Sequence, residues 1–207
     1  MHRRAHEKRM GLEKRGTFYV SDGTESIAQV RWKRMARLCY LHGRKVSPQD
    51  VMMRTRPATE ADFEALLQVQ QAAFGEYANL YEVSAWTTET LDSLKQDAKE
   101  KRIFVAEAEG AVIGSVRFWT VAGVCVIRLL SVSPTHQRLG VGKALIQEIE
   151  RVTVDAHKFY ACTMLRTARN ILFFLNLGYK AETVLPNHYH HLDLICFAKY
   201  REPTKSI

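Results

Sequence analysis

The run Gln137-Arg138-Leu139-Gly140-Val141-Gly142-Lys143-Ala144 has the composition of an anion cradle. Gly140 and Gly142 let a ligand approach the backbone without interference from a Cβ, and a helix starting just after them presents unpaired N–H groups to a negative charge. A diphosphate suits such a cradle. The loop lacks the GK[ST] ending of a nucleoside-triphosphate loop and the third glycine of a dinucleotide fingerprint, so those two phosphate chemistries fit it poorly. A tight strand-to-helix turn without a ligand is the competing reading.

Other residues of chemical type are less directed. His188, His190 and His191 cluster, but His190 and His191 are adjacent and point to opposite faces of a strand, so no metal site is expected. Cys39, Cys125, Cys162 and Cys196 are scattered and make no C-x-x-C pair, which implies free thiols rather than zinc ligands or disulfides. Tyr77, Tyr81 and Trp86 fit either a pocket lining or a core edge.

The elements that position the loop follow from periodicity. Met53 to Arg56 reads as a strand stopped by Pro57, and Thr59-Glu60-Ala61-Asp62 resembles a capping box with Asp in the place of Glu or Gln. Phe63, Leu66, Leu67 and Phe74 mark one helical face. Thr88 is a second candidate N-cap, before Leu91, Leu94 and Ala98. Ile103 to Ala108 and Ala111 to Trp119 are β-rich runs joined by Glu109-Gly110, and Val124 to Val132 follows Ala122-Gly123. Val141, Leu145, Ile149, Val152 and Ala156 form the apolar stripe of a long helix. A strand at Phe159 to Leu165, a helix at Ala168 to Leu177 closed by Gly178, and strands at Tyr179 to Val184 and Tyr189 to Tyr200 complete the order βααβββαβαββ. The fold class is α+β.

At this point Gln137-x-x-Gly140-x-Gly142 matches the Q/R-x-x-G-x-G/A signature of the GNAT superfamily of acyl-CoA-dependent N-acetyltransferases. Leu130-Ser131-Val132-Ser133-Pro134 resembles that family's strand-four ending, and Asn170 through Phe173-Phe174 to Gly178-Tyr179 resembles its N-x-x-F-Y-x-x-x-G-[FY] segment. The resemblance covers Met53 to about Arg201. It implies a central mixed sheet splayed between strands four and five, with acetyl-CoA as cosubstrate and no metal. Backbone groups of Leu130 and Val132 would pair with the pantetheine arm, Gln137, Arg138, Leu139, Gly140, Val141, Gly142 and Lys143 would hold the pyrophosphate, and Asn170 and Phe173 would line the other wall. The acceptor would be a primary amine, a small molecule in preference to a protein, attacking in a ternary complex.

The resemblance also fixes two departures. Phe174 stands where a tyrosine often protonates the leaving thiolate, and Val126 and Arg128 stand where a glutamate often serves as base. Tyr179, Tyr160 and His136 are the candidates to substitute, and none is assigned as catalytic. A CoA-binding module with lost or altered catalysis is therefore the alternative.

Charge is unevenly placed along the 207 residues, of which 46% are hydrophobic and 25% charged. Residues 1–51 hold 12 Lys and Arg against 5 Asp and Glu, while the remainder holds 18 against 17. Residues 1–51 thus read as a basic extension, with a non-native or disordered segment as the competing reading, and residues 52–207 as the GNAT-like N-acetyltransferase domain. A nucleic-acid or acidic-partner role for the extension is a third alternative, although a solvated surface is the commoner meaning of such charge. The absence of an 18-residue apolar run and of a signal core implies a cytoplasmic protein without a membrane partner. Homodimerisation is left open.

Overall fold

The computed structural model describes residues 40, 41, 44, 45, 53–78, 89–189 and 191–202. The chain divides at Tyr40 into two units, Met1–Tyr40 and Leu41–Ile207. Two two-residue strands, Tyr40–Leu41 and Arg44–Lys45, precede the main sheet.

The second unit is built from β1 (Met53–Pro57), α1 (Phe63–Gly75), α2 (Leu91–Glu100), β2 (Arg102–Ala108), β3 (Ala111–Val121), β4 (Val124–Val132), α3 (Val141–Val152), β5 (Lys158–Met164), α4 (Ala168–Asn176), β6 (Lys180–Tyr189) and β7 (Leu192–Tyr200). The seven strands form one mixed sheet in the order β1-β2-β3-β4-β5-β7-β6. Every neighbouring pair is antiparallel except β4 and β5, whose parallel crossover runs through α3. The order and class expected from the sequence are those observed.

Local chemistry explains the entries and turns. Glu109-Gly110 and Ala122-Gly123 all take positive φ, the geometry a two-residue hairpin requires. Asp62 completes the capping box despite its shorter side chain, receiving the Thr59 amide at 2.7 Å and the Thr59 hydroxyl at 2.9 Å. Its carboxylate also takes both terminal nitrogens of Arg56, at 2.7 and 2.8 Å, tying β1 to the start of α1. Those Arg56 hydrogen bonds hold the Asp62 carboxyl well below the ordinary carboxylate range. Because the folded-state pKa is depressed, the stabilisation is full above about pH 4, the unfolded value, and is lost as pH falls toward the folded one. Asp62→Ala is therefore expected to cost about 1–2 kcal/mol at pH 7 from the lost cap, a difference that shrinks in urea melts repeated at progressively lower pH.

Several boundaries differ from expectation. The N-cap of α2 is Thr90, whose hydroxyl accepts the Ser93 amide at 3.2 Å while Ser93 Oγ accepts the Thr90 amide at 3.0 Å; Thr88 lies outside the described residues. Helix α3 stops at Val152, short of Ala156, because Arg201 donates to the carbonyls of Glu150 and Thr153 at 2.8 and 2.9 Å and closes its C-terminus. Tyr189 belongs to β6 rather than to the last strand, as the register partner of Leu192.

The cysteine expectation is corrected in part. Cys162 on β5 and Cys196 on β7 are register partners and form a disulfide. Sequence distance hid the pair, since the two residues are 34 apart and only the antiparallel ladder sets them face to face. Cys125 is a free, buried thiol whose pKa burial pushes up to about 11. Alkylation of the native protein near pH 8 is accordingly expected to leave Cys125 unmodified until denaturant is added, as read by peptide mass spectrometry. Cys39 lies outside the described residues.

The core lies on both faces of the sheet. Phe63, Leu66, Leu67 and Leu94 pack α1 and α2 on Ile103 and Val105, and on α3 Val141, Leu145, Ile146 and Ile149 are all buried. No helix among the described residues is long and apolar enough to cross a membrane.

Candidate functional site

Strands β4 and β5 begin side by side and then part. Their ladder runs from Val124–Lys158 to Ile127–Ala161 and ends there, while β4 continues to Val132 and β5 to Met164. Beyond Ile127, β4 is paired only with β3, so its other edge is open. The Ser133 amide donates to the Ile113 carbonyl on β3 at 2.9 Å. Alternation then turns the backbone groups of Val132, and of Leu130 before it, into the gap. Leu129 between the paired segments has φ +51, and the register shifts there, so β4 carries a bulge at the head of the slot.

The open end of the slot leads to the start of α3. Gly140 is the N-cap at φ +88, a left-handed conformation costly for other residues, and the first intrahelical bond is Ala144 N–H to Gly140 C=O at 2.9 Å. The amides of Val141, Gly142 and Lys143 therefore have no acceptor within the helix. A Cβ on Gly142 would lie 3.4 Å from the Phe173 ring and 3.7 Å from Val132 Cγ2, so α4, β4 and α3 converge on this residue. Arg138, Lys143 and Arg169 add cationic side chains around the same end. Unpaired amides, a helix N-terminus and three cations suit a diphosphate.

A cavity of about 680 Å³ joins this end to the slot. Leu130, Val132, Gln137, Arg138, Gly140, Val141, Gly142, Lys143, Asn170 and Phe173 all line it. Leu139 does not: its side chain is buried. A polar network spans the mouth, in which Arg169 donates to Gln137 Oε1 at 2.9 Å, to Glu76 at 2.8 Å and to the Tyr77 hydroxyl at 2.7 Å. Gln137 in turn donates to the Val132 carbonyl at 3.3 Å, and Asn170 to Thr163 Oγ1 at 3.1 Å. Tyr77 thus faces the α4 end of the cavity; Tyr81 and Trp86 lie outside the described residues.

The candidate proton carriers are dispersed. Phe174 is buried in an aromatic cluster, stacked on Phe197 with centroids 5.4 Å apart and edge-on to Tyr179 at 5.5 Å. The Tyr179 hydroxyl donates to Glu150 at 3.0 Å on α3, and burial with that carboxylate pushes its pKa far up. Tyr160 packs under Lys158 and does not line the cavity. His136 does line it, beside Thr135 at 2.9 Å, with burial lowering its imidazole pKa. His188 reaches the cavity, His191 contacts Asn187 at 2.8 Å, and His190 lies outside the described residues.

A buried ionic cluster at the closed end belongs to no sequence motif. Arg117 on β3 is 2% exposed and donates to Glu89 at 2.6 Å, to Asp97 at 2.9 Å and to Gln70 at 3.2 Å. Asp97 also accepts from Lys101 at 2.7 Å, and Lys101 lies over Trp119, 5.3 Å from the ring centroid. Although burial raises its pKa, the hydrogen bonds from Lys101 and Arg117 outweigh it and hold Asp97 below the ordinary carboxylate value. Glu89, Asp97, Lys101, Arg117 and Trp119 all line the cavity. The available signal was an arginine inside the apolar run from Val112 to Phe118, because a charge on a core strand must find buried partners.

The family model described as "Acetyltransferase (GNAT) family" matches residues 64–179. The curated relative "Probable N-acetyltransferase 14" of Danio rerio is 32% identical over 96 residues, or 44% of this chain. That match spans 34% of the relative, so the chain covers about a third of its length. Among solved structures, the ribosomal-protein-S18-alanine N-acetyltransferase of Escherichia coli aligns with TM-score 0.62 at 16% identity, over 75% of this chain and 99% of its own. The PaiA N-acetyltransferase of Thermoplasma acidophilum, in complex with coenzyme A, aligns with TM-score 0.63 at 17% identity, over 72% and 99%. At these identities the two structures speak for a shared fold.

Proposed function

The chain belongs to the GNAT acetyltransferase family, and from that premise we propose that it transfers the acetyl group of acetyl-CoA to a primary amine by direct attack in a ternary complex. The observation that carries the proposal is the open β4 edge leading from Ile127 to the unpaired amides at the start of α3. Leu130 and Val132 would pair with the pantetheine amides as an added strand. The amides from Leu139 to Lys143, with Gln137 and Arg138 beside them, would hold the pyrophosphate, while Asn170 and Phe173 form the opposite wall. Bound acetyl-CoA supplies the activated acyl group as a thioester, so the protein needs no covalent nucleophile of its own.

The chain's task is then to align the amine with that acyl group and to keep water from it. The carboxylate-bearing closed end, at Glu89 and Asp97, is the natural acceptor side. A small-molecule amine is the favoured acceptor. Cytoplasmic action is part of the proposal. Residues 1–51 are proposed as an extension to the transferase domain at residues 52–207.

Phe174 supports a second reading, a CoA-binding module whose catalysis is lost, because its buried ring has no proton to give. Calorimetric titration with CoA and thiol release from acetyl-CoA across a panel of amines separate the two. Binding with turnover supports the transferase; binding without turnover on any amine supports the module.

A further inference from the structure

The closed end of the cavity holds one cation more than its carboxylates match. Arg117 and Arg128 are register partners on β3 and β4, so their side chains leave the same face of the sheet as direct neighbours. Like charges placed opposite each other destabilise a sheet unless something neutralises them. For Arg117 the neutralising groups are in place, since Glu89 and Asp97 both accept from it. Asp97 is also shared with Lys101. Among the described residues, no carboxylate pairs with Arg128, which lines the cavity with its side chain exposed. The charged residues lining this end are thus Glu89 and Asp97 against Lys101, Arg117 and Arg128.

The position of Arg128 along β4 makes the excess functional. It directly follows Ile127, the last residue paired with β5, and so stands at the apex where the slot closes. The cradle at Gly140 to Lys143 adjoins Val132, four residues away or roughly 13 Å along the strand. A ligand anchored by its pyrophosphate at α3 and extended along β4 brings its acyl terminus to this apex. The neighbouring bulge at Leu129, φ +51, is the kind of feature that re-aims side chains beside active sites.

Resting on the transferase reading above, we propose that the acceptor is an amine that also carries a carboxylate, and that Arg128 binds this carboxylate and determines specificity. A guanidinium offers a planar pair of donors that matches a carboxylate, and the unmatched charge at this end is neutralised when such a substrate enters. Simple alkylamines and diamines would leave that charge uncompensated, and diamines would add to it.

The test compares glycine, β-alanine and 5-aminopentanoate with methylamine, ethylamine, pentylamine and 1,5-diaminopentane in thiol-release assays on the full chain. Carboxylated amines are expected to show at least tenfold higher kcat/KM than the alkylamines of matching length. Arg128→Gln should raise KM for the carboxylated members at least tenfold with little change for the alkylamines, and Arg128→Glu should shift preference toward the diamine. Calorimetric titration of 5-aminopentanoate into the CoA-saturated protein should show binding that Arg128→Gln removes. Turnover of alkylamines with no carboxylate preference overturns the inference while leaving the transferase reading intact. Equal loss on both classes in Arg128→Gln also overturns it, pointing to a role toward the acyl group. Absence of turnover with every amine, with CoA binding retained, overturns both.

Discussion

Replacing Gly142 with leucine is expected to lower CoA affinity about a hundredfold, or about 2.7 kcal/mol, without unfolding the domain. Even a single Cβ at this position would stand 3.4 Å from the Phe173 ring and 3.7 Å from Val132, so a branched side chain has to occupy the convergence of α3, α4 and β4. That convergence is the passage between the cradle at Gly140 and the open edge of β4. Leucine is a better helix former than glycine, so propensity favours the folded state while the obstruction falls on the ligand. Calorimetric titration of CoA measures the effect, with a thermal melt to verify that folding survives. Unchanged affinity in a folded variant would place the ligand elsewhere.

The largest effect on stability is expected from Arg117→Ala. The side chain is 2% exposed and holds Glu89, Asp97 and Gln70 together, which links β3 to α1, to α2 and to the residue just before the N-cap of α2. Removing it takes the paired cation from Glu89 and leaves Asp97 to Lys101 alone in a partly buried site, a change that costs about 3–5 kcal/mol. For a domain of this size the melting temperature should fall by about 10 °C. Combining Arg117→Met with Glu89→Gln and Asp97→Asn should recover much of the loss, since the penalty lies in the uncompensated charges. If the triple variant were as unstable as Arg117→Ala alone, packing rather than charge would be the cause.

What was legible in the sequence was local. The Glu109-Gly110 and Ala122-Gly123 turns declare themselves because adjacent residues must take positive φ, and the β2-β3-β4 meander follows from them. The Val141, Leu145, Ile149 stripe identifies α3, and the glycines before it mark where that helix starts. Features that depend on distant partners were not legible. Asp97 and Glu89 meet Arg117 from 20 and 28 residues away, and Cys162 meets Cys196 only through the β5–β7 register. The apolar stripe runs on to Ala156, but α3 ends at Val152 because the residue that closes it, Arg201, lies beyond β7. The apex of the slot at Arg128 is likewise a product of where the β4–β5 ladder ends, which a parallel pairing across a helix leaves unmarked in the sequence.

Backbone amides along the β4 edge and at the start of α3 are proposed to receive coenzyme A. Amide hydrogen exchange, resolved by residue and measured with and without saturating CoA, tests it most directly. The account predicts that Leu130, Val132, Val141, Gly142 and Lys143 exchange more slowly when CoA is present, while the exposed outer edge of β6 is unaffected. Slowed exchange at some other surface, or unchanged rates at these amides with CoA demonstrably bound, would contradict it.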